Sequence, residues 1–316
     1  MDVLFFLLWS RYEAAFIKNL VNKIHYQIDL KQLSTPARMT GMETRVKAID
    51  SWLNNEQYNA IAICGMGGIG KTTLAKQVYN LNKENFDSYS YVEIGTHSKD
   101  SLLEKQKQLL KDILGEEKMR IASDAQGAQK IEEVMQMKNV LIVLDDIDDP
   151  NQLSTLLGTK AFLTQSKIIV TTRLINIDVW FMSKSWRCKV HKLELLNDLE
   201  SLELLSWHAF GSKVPMEGFK DLAVELSQCC GGNPLALEVI GSSIFVSDED
   251  PDKIIIMKNN FKDRINSFTS FKGDIDSDIQ VGTDKIEGLA LNMLKVEPSM
   301  SSQESTIRLN LSKPTQ

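Results

Sequence analysis

Residues 59–73 read NAIAICGMGGIGKTT, and this stretch decides the fold. Ala60 to Cys64 carry no charge and run straight into a glycine-rich turn, as a strand buried on both faces does. The following segment, KTTLAKQVYN, has helical spacing. Between strand and helix, Gly65 to Thr73 satisfies G-x-x-x-x-G-K-[ST], the pattern of a phosphate-binding loop, or P-loop. Gly65, Gly67, Gly68 and Gly70 let backbone N–H groups turn inward around phosphate oxygens, where a Cβ would clash or forbid the dihedrals. Met66 and Ile69 complete the same cradle. The helix N-terminus adds donors and a partial positive charge. In this pattern Lys71 reaches the β- and γ-phosphates, the Thr72 hydroxyl ligates magnesium, and Thr73 caps the helix or touches the α-phosphate. A purely structural glycine turn is the alternative, and the flanking strand and helix speak against it.

Outward from the loop, short apolar runs alternate with helical segments: SYSYVEI, then SLLEKQKQLLKDIL; NVLIVLDD, then QLSTLLG; then KIIVTTR. This is the signature of an open parallel sheet with helices on both faces, an α/β fold of the P-loop NTPase kind, here spanning about Asn59 to Leu193. Upstream, Tyr12 to Ile28 has the spacing of an amphipathic helix, KQLSTPARMTG breaks it as a linker, and METRVKAIDSWL forms a second helix. Downstream, ESLELLSWHAFG, FKDLAVELSQCCGGNPLALEVIGSSIF and IIIMKNNFKDRINSF are helical and predict a small all-helical subdomain. After Lys272 the chain turns polar and reads as largely disordered. The expected division is 1–40 N-terminal helix and linker, 41–193 P-loop domain, 194–272 helical subdomain and 273–316 irregular tail.

Two further strands end in charge. NVLIVLDDIDD, Asn139 to Asp149, delivers paired acids to the carboxyl edge of the sheet, where open α/β sheets bind ligands. Asp145 is the candidate magnesium-side carboxylate, acting through water, and Asp146 the candidate that orients the attacking water. Adjacent residues alternate in direction along a strand, so the two need not share a role. A solvated acidic turn is the bland reading of these residues taken alone. SKIIVTTR ends in Arg173, a candidate γ-phosphate sensor because a guanidinium matches phosphate oxygens bidentately; a surface ion pair is its alternative.

Composition narrows the function classes. A formal net charge of -6 supplies no basic field, so no nucleic-acid partner is expected. The apolar start, MDVLFFLLW, is far shorter than the roughly 20 residues of a membrane helix and lacks a signal peptide's basic flank, so stable membrane insertion is not expected. Cys64, Cys188, Cys229 and Cys230 show no paired spacing, which fits a reducing compartment, the cytoplasm or nucleus. Cys229 and Cys230 read as buried small groups. His25, His97, His191 and His208 have no metal-ligand spacing, and His208, Trp207 and Phe210 read as packing residues.

The order GMGGIGKTT, LDDIDD, KIIVTTR, LLNDLESLELLSWHAFG and CCGGNPLALEVIG resembles the NB-ARC domain of plant nucleotide-binding, leucine-rich-repeat immune receptors. The aspartate closing LDDIDD, and YEAAFIKNLVNKI before MTGMETR, resemble the class with an N-terminal TIR domain. The resemblance implies ADP or ATP with Mg2+ as ligands. It sets Pro234 against the adenine, with Leu235 and Ala236 packing the helical subdomain onto it; without the resemblance, a stiffened helix start explains Pro234 equally well. It also makes Thr40 and Gly41 candidates for lining the base. The TIR, winged-helix and repeat segments of the family have no counterpart in the sequence, and GTDKIEGLALNM looks like the stretch before the repeats, so the chain resembles a shortened receptor. The implied function is an ADP/ATP switch module in plant defence, with at most slow magnesium-dependent hydrolysis and with other receptors or a second copy as partners. An ATPase proper and an adaptor or decoy that binds intact receptors are the rival readings.

Overall fold

In the computed structural model, residues 32–95, 101–115, 121–158, 160, 165–174, 176–182, 186–244 and 251–275 are described. The helix expected over Tyr12 to Ile28 and residues 276–316 of the expected tail lie outside them, while residues 273–275, expected to be irregular, end the last described helix. Five parallel strands form one sheet: β1 (Ala60–Cys64), β2 (Ser88–Glu93), β3 (Val140–Ile147), β4 (Lys167–Thr172) and β5 (Cys188–Lys192), in the order β2-β3-β4-β1-β5.

The near-continuous apolar strands are explained by the helices on both faces. Val140, Ile142 and Leu144 pack with α3 (Leu102–Leu114), α4 (Asp124–Met135) and α5 (Pro150–Leu157). The intervening Leu141 and Val143 point the other way, onto α1 (Met42–Leu53) and α2 (Lys71–Asn82). Side chains alternate along a strand, so only a two-sided cover demands apolar residues at every position. β1 lies between β4 and β5, so the chain leaves it on one side to build β2 to β4 and returns on the other with β5. Loops at such a reversal diverge and open a crevice at the carboxyl ends of the strands. The glycine-rich loop after β1 occupies it.

Three elements were not anticipated. β5 is an edge strand of mostly exposed, mixed-polarity residues, CKVHK, selected by its pairing with β1 rather than by local sequence. The short α6 (Ile177–Met182) has only six residues. α4 was legible: Ser123 caps it and Gly127, Ile131, Val134 and Met135 are buried at helical spacing.

The helical subdomain comprises α7 (Asp198–Phe210), α8 (Lys220–Cys229), α9 (Pro234–Ser243) and α10 (Pro251–Ile275). Its core is separate, built on Leu205, Leu226, Leu237 and Phe261. Phe210 stacks on Phe261 at 5.7 Å and 12° and meets Phe219 edge-on, a packing role. Cys230 is buried, which pushes its thiol up to about 12, while Cys229 is half-buried. The apolar stretch around CCGGNP splits into α8 and α9 because Gly231 and Gly232 take φ of 57° and 75° and Asn233 caps the next helix.

Candidate nucleotide-binding site

The P-loop, the ends of β3 and β4, the linker before α1 and the start of α9 surround one cleft of about 1060 Å³. Gly68 and Gly70 adopt φ of 72° and 99°. At Gly68 space is limiting as well: a Cβ would lie 2.7 Å from Leu235 Cβ and 2.8 Å from Asn233 Oδ1. Gly70 is the N-cap of α2, without a side-chain cap. Thr73 therefore does not cap the helix; it lines the cleft.

Lys71 is buried, and its ammonium donates to the carbonyls of Gly65 and Met66, each at 2.8 Å. Two of its three N–H donors thus brace the loop, and one remains for a ligand. Burial first, and the nearby Arg173 guanidinium second, hold the ammonium below its ordinary value, while Asp146 and Asp145 pull it up. Arg173 therefore shares the cleft with Lys71, at the exit of β4.

Asp145 is 3% exposed, and its Oδ1 accepts from Thr72 Oγ1 at 3.0 Å and from Thr171 Oγ1 at 2.5 Å. The Thr171 hydroxyl in turn accepts the Asp146 backbone N–H at 2.8 Å. The paired acids do not part by simple strand alternation. Leu144 pairs with Val170 and Ile147 with Thr172, so two residues of β3 oppose one of β4, and Asp146 takes a φ of 60°. This is a β-bulge, which re-aims the side chain of its extra residue. The Asp146 carboxylate turns toward the end of β2, where a Cβ on Gly95 would come within 2.5 Å of its Oδ2.

The donor set suits magnesium, a hard cation that takes oxygen ligands from one or two carboxylates and from phosphates. Thr72 and Asp145 are already hydrogen-bonded, so the hydroxyl proton is committed and its lone pairs are left for a cation. Among the described residues no group of three or more His, Cys, Asp or Glu forms a cage, so such an ion would need phosphate oxygens as well.

Pro234 stands at the first position of α9 and lines the cleft. The residue before it ties the two subdomains together. Asn233 is 1% exposed; its Oδ1 accepts from the backbone N–H groups of Leu235 and Ala236, and its Nδ2 donates to Gly67 O at 3.0 Å. Leu235 N donates to Gly68 O at 3.2 Å. Sequence reasoning passed over Asn233, Gly95 and Thr171. An Asn-Pro pair opening a helix is a legible cap signal, whereas the roles of the other two exist only in three dimensions.

Thr40 lines the cleft, while Gly41 is the N-cap of α1, at φ 69°. Its neighbour Arg45 reaches both Glu200 carboxylate oxygens, at 3.2 and 3.3 Å, and Leu195 O at 3.2 Å. Arg38 lies 4.3 Å over the Trp207 ring and donates to Trp207 O at 3.0 Å. Trp207 thus seats the linker. His208 is half-buried at the cleft wall instead of packed in the core, with Nδ1 3.2 Å from Ser242 Oγ.

Residues 42–214 match the NB-ARC domain family. The chain is 37% identical over 242 residues to the disease resistance protein RPV1 of Vitis rotundifolia, covering 75% of this chain and 17% of that protein. It is 31% identical over 287 residues to the TMV resistance protein N of Nicotiana glutinosa, covering 87% of this chain and 24% of that one. The chain therefore spans about a fifth of the length of these relatives. Among solved structures it is similar to a signal transduction ATPase with numerous domains from Pyrococcus horikoshii, at 16% identity and a TM-score of 0.47, over 73% of this chain and 33% of that one. With the matched segment running from α1 through the P-loop and the paired acids into the helical subdomain, the chain belongs to the NB-ARC family, the nucleotide-binding domain of plant disease-resistance proteins.

Proposed function

We propose that this chain is an ADP/ATP-binding switch module, acting with Mg2+, of a plant immune receptor. The observation that carries this reading is the double tie between the P-loop and the helical subdomain, Asn233 Nδ2 to Gly67 O and Leu235 N to Gly68 O. A loop that wraps phosphates and is bonded through its own carbonyls to a second subdomain couples nucleotide state to subdomain position. That differential contact is what a switch requires.

The backbone N–H groups of Gly65 to Thr73 hold the phosphates, and Lys71 neutralises them. Thr72 and Asp145 hold the magnesium. Asp146 orients water for slow hydrolysis, and Arg173 reads the γ-phosphate. Pro234, Leu235 and Thr40 close on the nucleoside side. The cytoplasm is the proposed compartment; among the described residues no helix is long and apolar enough to cross a membrane. Other receptors or a second copy are the proposed partners.

Nucleotide released from purified protein should be identified by mass spectrometry as ADP or ATP. Added Mg-ADP at a hundredfold excess over Kd should raise Tm by roughly 5–10 °C, from about 2.7 kcal/mol of linkage. Lys71→Ala should abolish most of that shift and leave the unliganded protein folded. An unchanged shift in this variant would sink the assignment.

A further inference from the structure

Tyr91, in β2, has no role in the site as described so far, yet it belongs to the same sheet face as Asp145. In the β2–β3 register Tyr91 pairs with Val143 and Glu93 with Asp145, so Tyr91 lies two residues from the partner of Asp145. Two residues along a strand is the same face. The Tyr91 ring is clamped: Tyr79 of α2 meets it edge-on at 5.7 Å, and the Lys76 ammonium, paired with Glu93 at 3.1 Å, lies 5.6 Å from its centroid. Its hydroxyl is buried and completes no hydrogen bond at standard geometry. A buried hydroxyl left in that state is costly and calls for a partner. The partner at hand is Asp145, which stands two residues beyond Val143, the Tyr91 partner, on the same face of β3, a diagonal that a long aromatic side chain can reach. Both threonine hydroxyls converge on Oδ1 of Asp145, which leaves the Oδ2 side of the carboxylate for the phenol.

We propose that Tyr91 is a positioning residue for the metal-side carboxylate, its hydroxyl donating to Asp145 and fixing the carboxylate plane when magnesium and nucleotide occupy the cleft. The inference rests on the reading of the cleft as a magnesium-nucleotide site. A carboxylate drawn toward a cation by one oxygen must be held by the other, and second partners of this kind are worth 10–100-fold in metal affinity. Tyr91→Phe keeps the ring, its contact with Tyr79 and the Lys76 ammonium, and removes the donor alone.

The experiment measures Kd for ADP with excess EDTA and with saturating Mg2+, in the wild-type protein and in Tyr91→Phe. The factor by which Mg2+ tightens ADP binding should shrink about tenfold in the variant, while the EDTA value stays within about twofold. In parallel, 3-fluorotyrosine placed at position 91 should show a moved 19F resonance when Mg2+ is added to the ADP-bound wild-type protein, a readout that holds even if Tyr91→Phe folds poorly. Wild-type-like magnesium dependence in the variant, or a fluorine signal that ignores Mg2+, would overturn the inference and leave the proposed function standing. Wild-type protein that binds no ADP, or binds it without regard to Mg2+, would overturn both.

Discussion

Asp146 shows how one residue takes on a role that its neighbour cannot. Its φ of 60° is in the left-handed region, and it is the one non-glycine with positive φ among the described residues. Aspartate tolerates this region better than most residues, and an unbranched polar side chain suits the bulge. Asp146→Gly is expected to match wild type within about 1 kcal/mol in urea unfolding, because relief of strain offsets the extra freedom of the unfolded chain. Asp146→Val should cost about 1–2 kcal/mol. Both variants should lose ATP turnover while holding ADP nearly as well as wild type. If the valine variant unfolds at the wild-type urea midpoint, the backbone carries no strain there. Asp145→Ala differs in kind: it strips the Thr72 and Thr171 hydroxyls of their acceptor, so magnesium-dependent binding itself should weaken.

At the scale of elements, α9 does two jobs through one residue. Its N-cap, Asn233, satisfies the helix's own N–H groups with Oδ1 and grips the P-loop with Nδ2. These roles separate chemically. Asn233→Asp keeps the capping oxygen but loses the donor and sets a carboxylate against Gly67 O. Asn233→Ala loses both and should cost about 1–2 kcal/mol of stability. At a site 1% exposed an unpaired carboxylate facing a carbonyl is costly, so the aspartate variant should lose at least as much stability as the alanine variant although it keeps the cap, and bind ADP at least about tenfold more weakly, one tenfold step being about 1.4 kcal/mol. Urea unfolding and titration calorimetry on the two variants check this, and an aspartate variant as stable as wild type would show that the cap alone, rather than the grip on the loop, holds α9. On the opposite wall, Arg45 and Glu200 join α1 to α7. Burial alone would raise the Glu200 carboxyl, but hydrogen bonds from Arg45 and the Asn197 N–H, with the Arg45 charge, hold it below the usual value.

For the whole molecule, the same pattern of partial burial predicts an acid sensitivity. His191 on β5 and His208 on α7 are each held below the ordinary 6.5, chiefly by burial. Lys189 lowers His191 further and Glu194 opposes it; Arg38 lowers His208 and Glu238 opposes it. In the unfolded chain both take up protons near 6.5, before the folded protein does, so the unfolded state binds more protons as pH drops. Stability is then complete above about pH 6.5 and declines as pH falls through the lowered folded values. The urea midpoint should decrease between pH 7.5 and 5.5, and the His191→Gln, His208→Gln double variant should flatten that slope. A slope unchanged by the double variant would assign the acid sensitivity to carboxylates instead.

By itself the sequence determined whatever depends on local order. A P-loop is contiguous, so GMGGIGKTT identifies it without knowledge of its surroundings. The uncharged strands before the loop and before LDDIDD imply helices on both sheet faces, because only two-sided burial removes every polar position. The split of CCGGNP into two helices was also written locally, in two glycines and an Asn-Pro cap. Tertiary structure decided the rest. β5 became a strand only because the edge of β1 offered it backbone partners. Asp146 left the line of Asp145 only because β3 carries one more residue than β4 at that point, which a single strand's pattern cannot show. Gly95, Thr171 and Asn233 acquired their roles from atoms far away along the chain, and such contacts leave no periodic trace in sequence. The physical divide is contact range: conformational preference and alternation act over a few residues and can be read directly, whereas register, bulges and inter-subdomain hydrogen bonds are set by which surfaces meet when the chain folds.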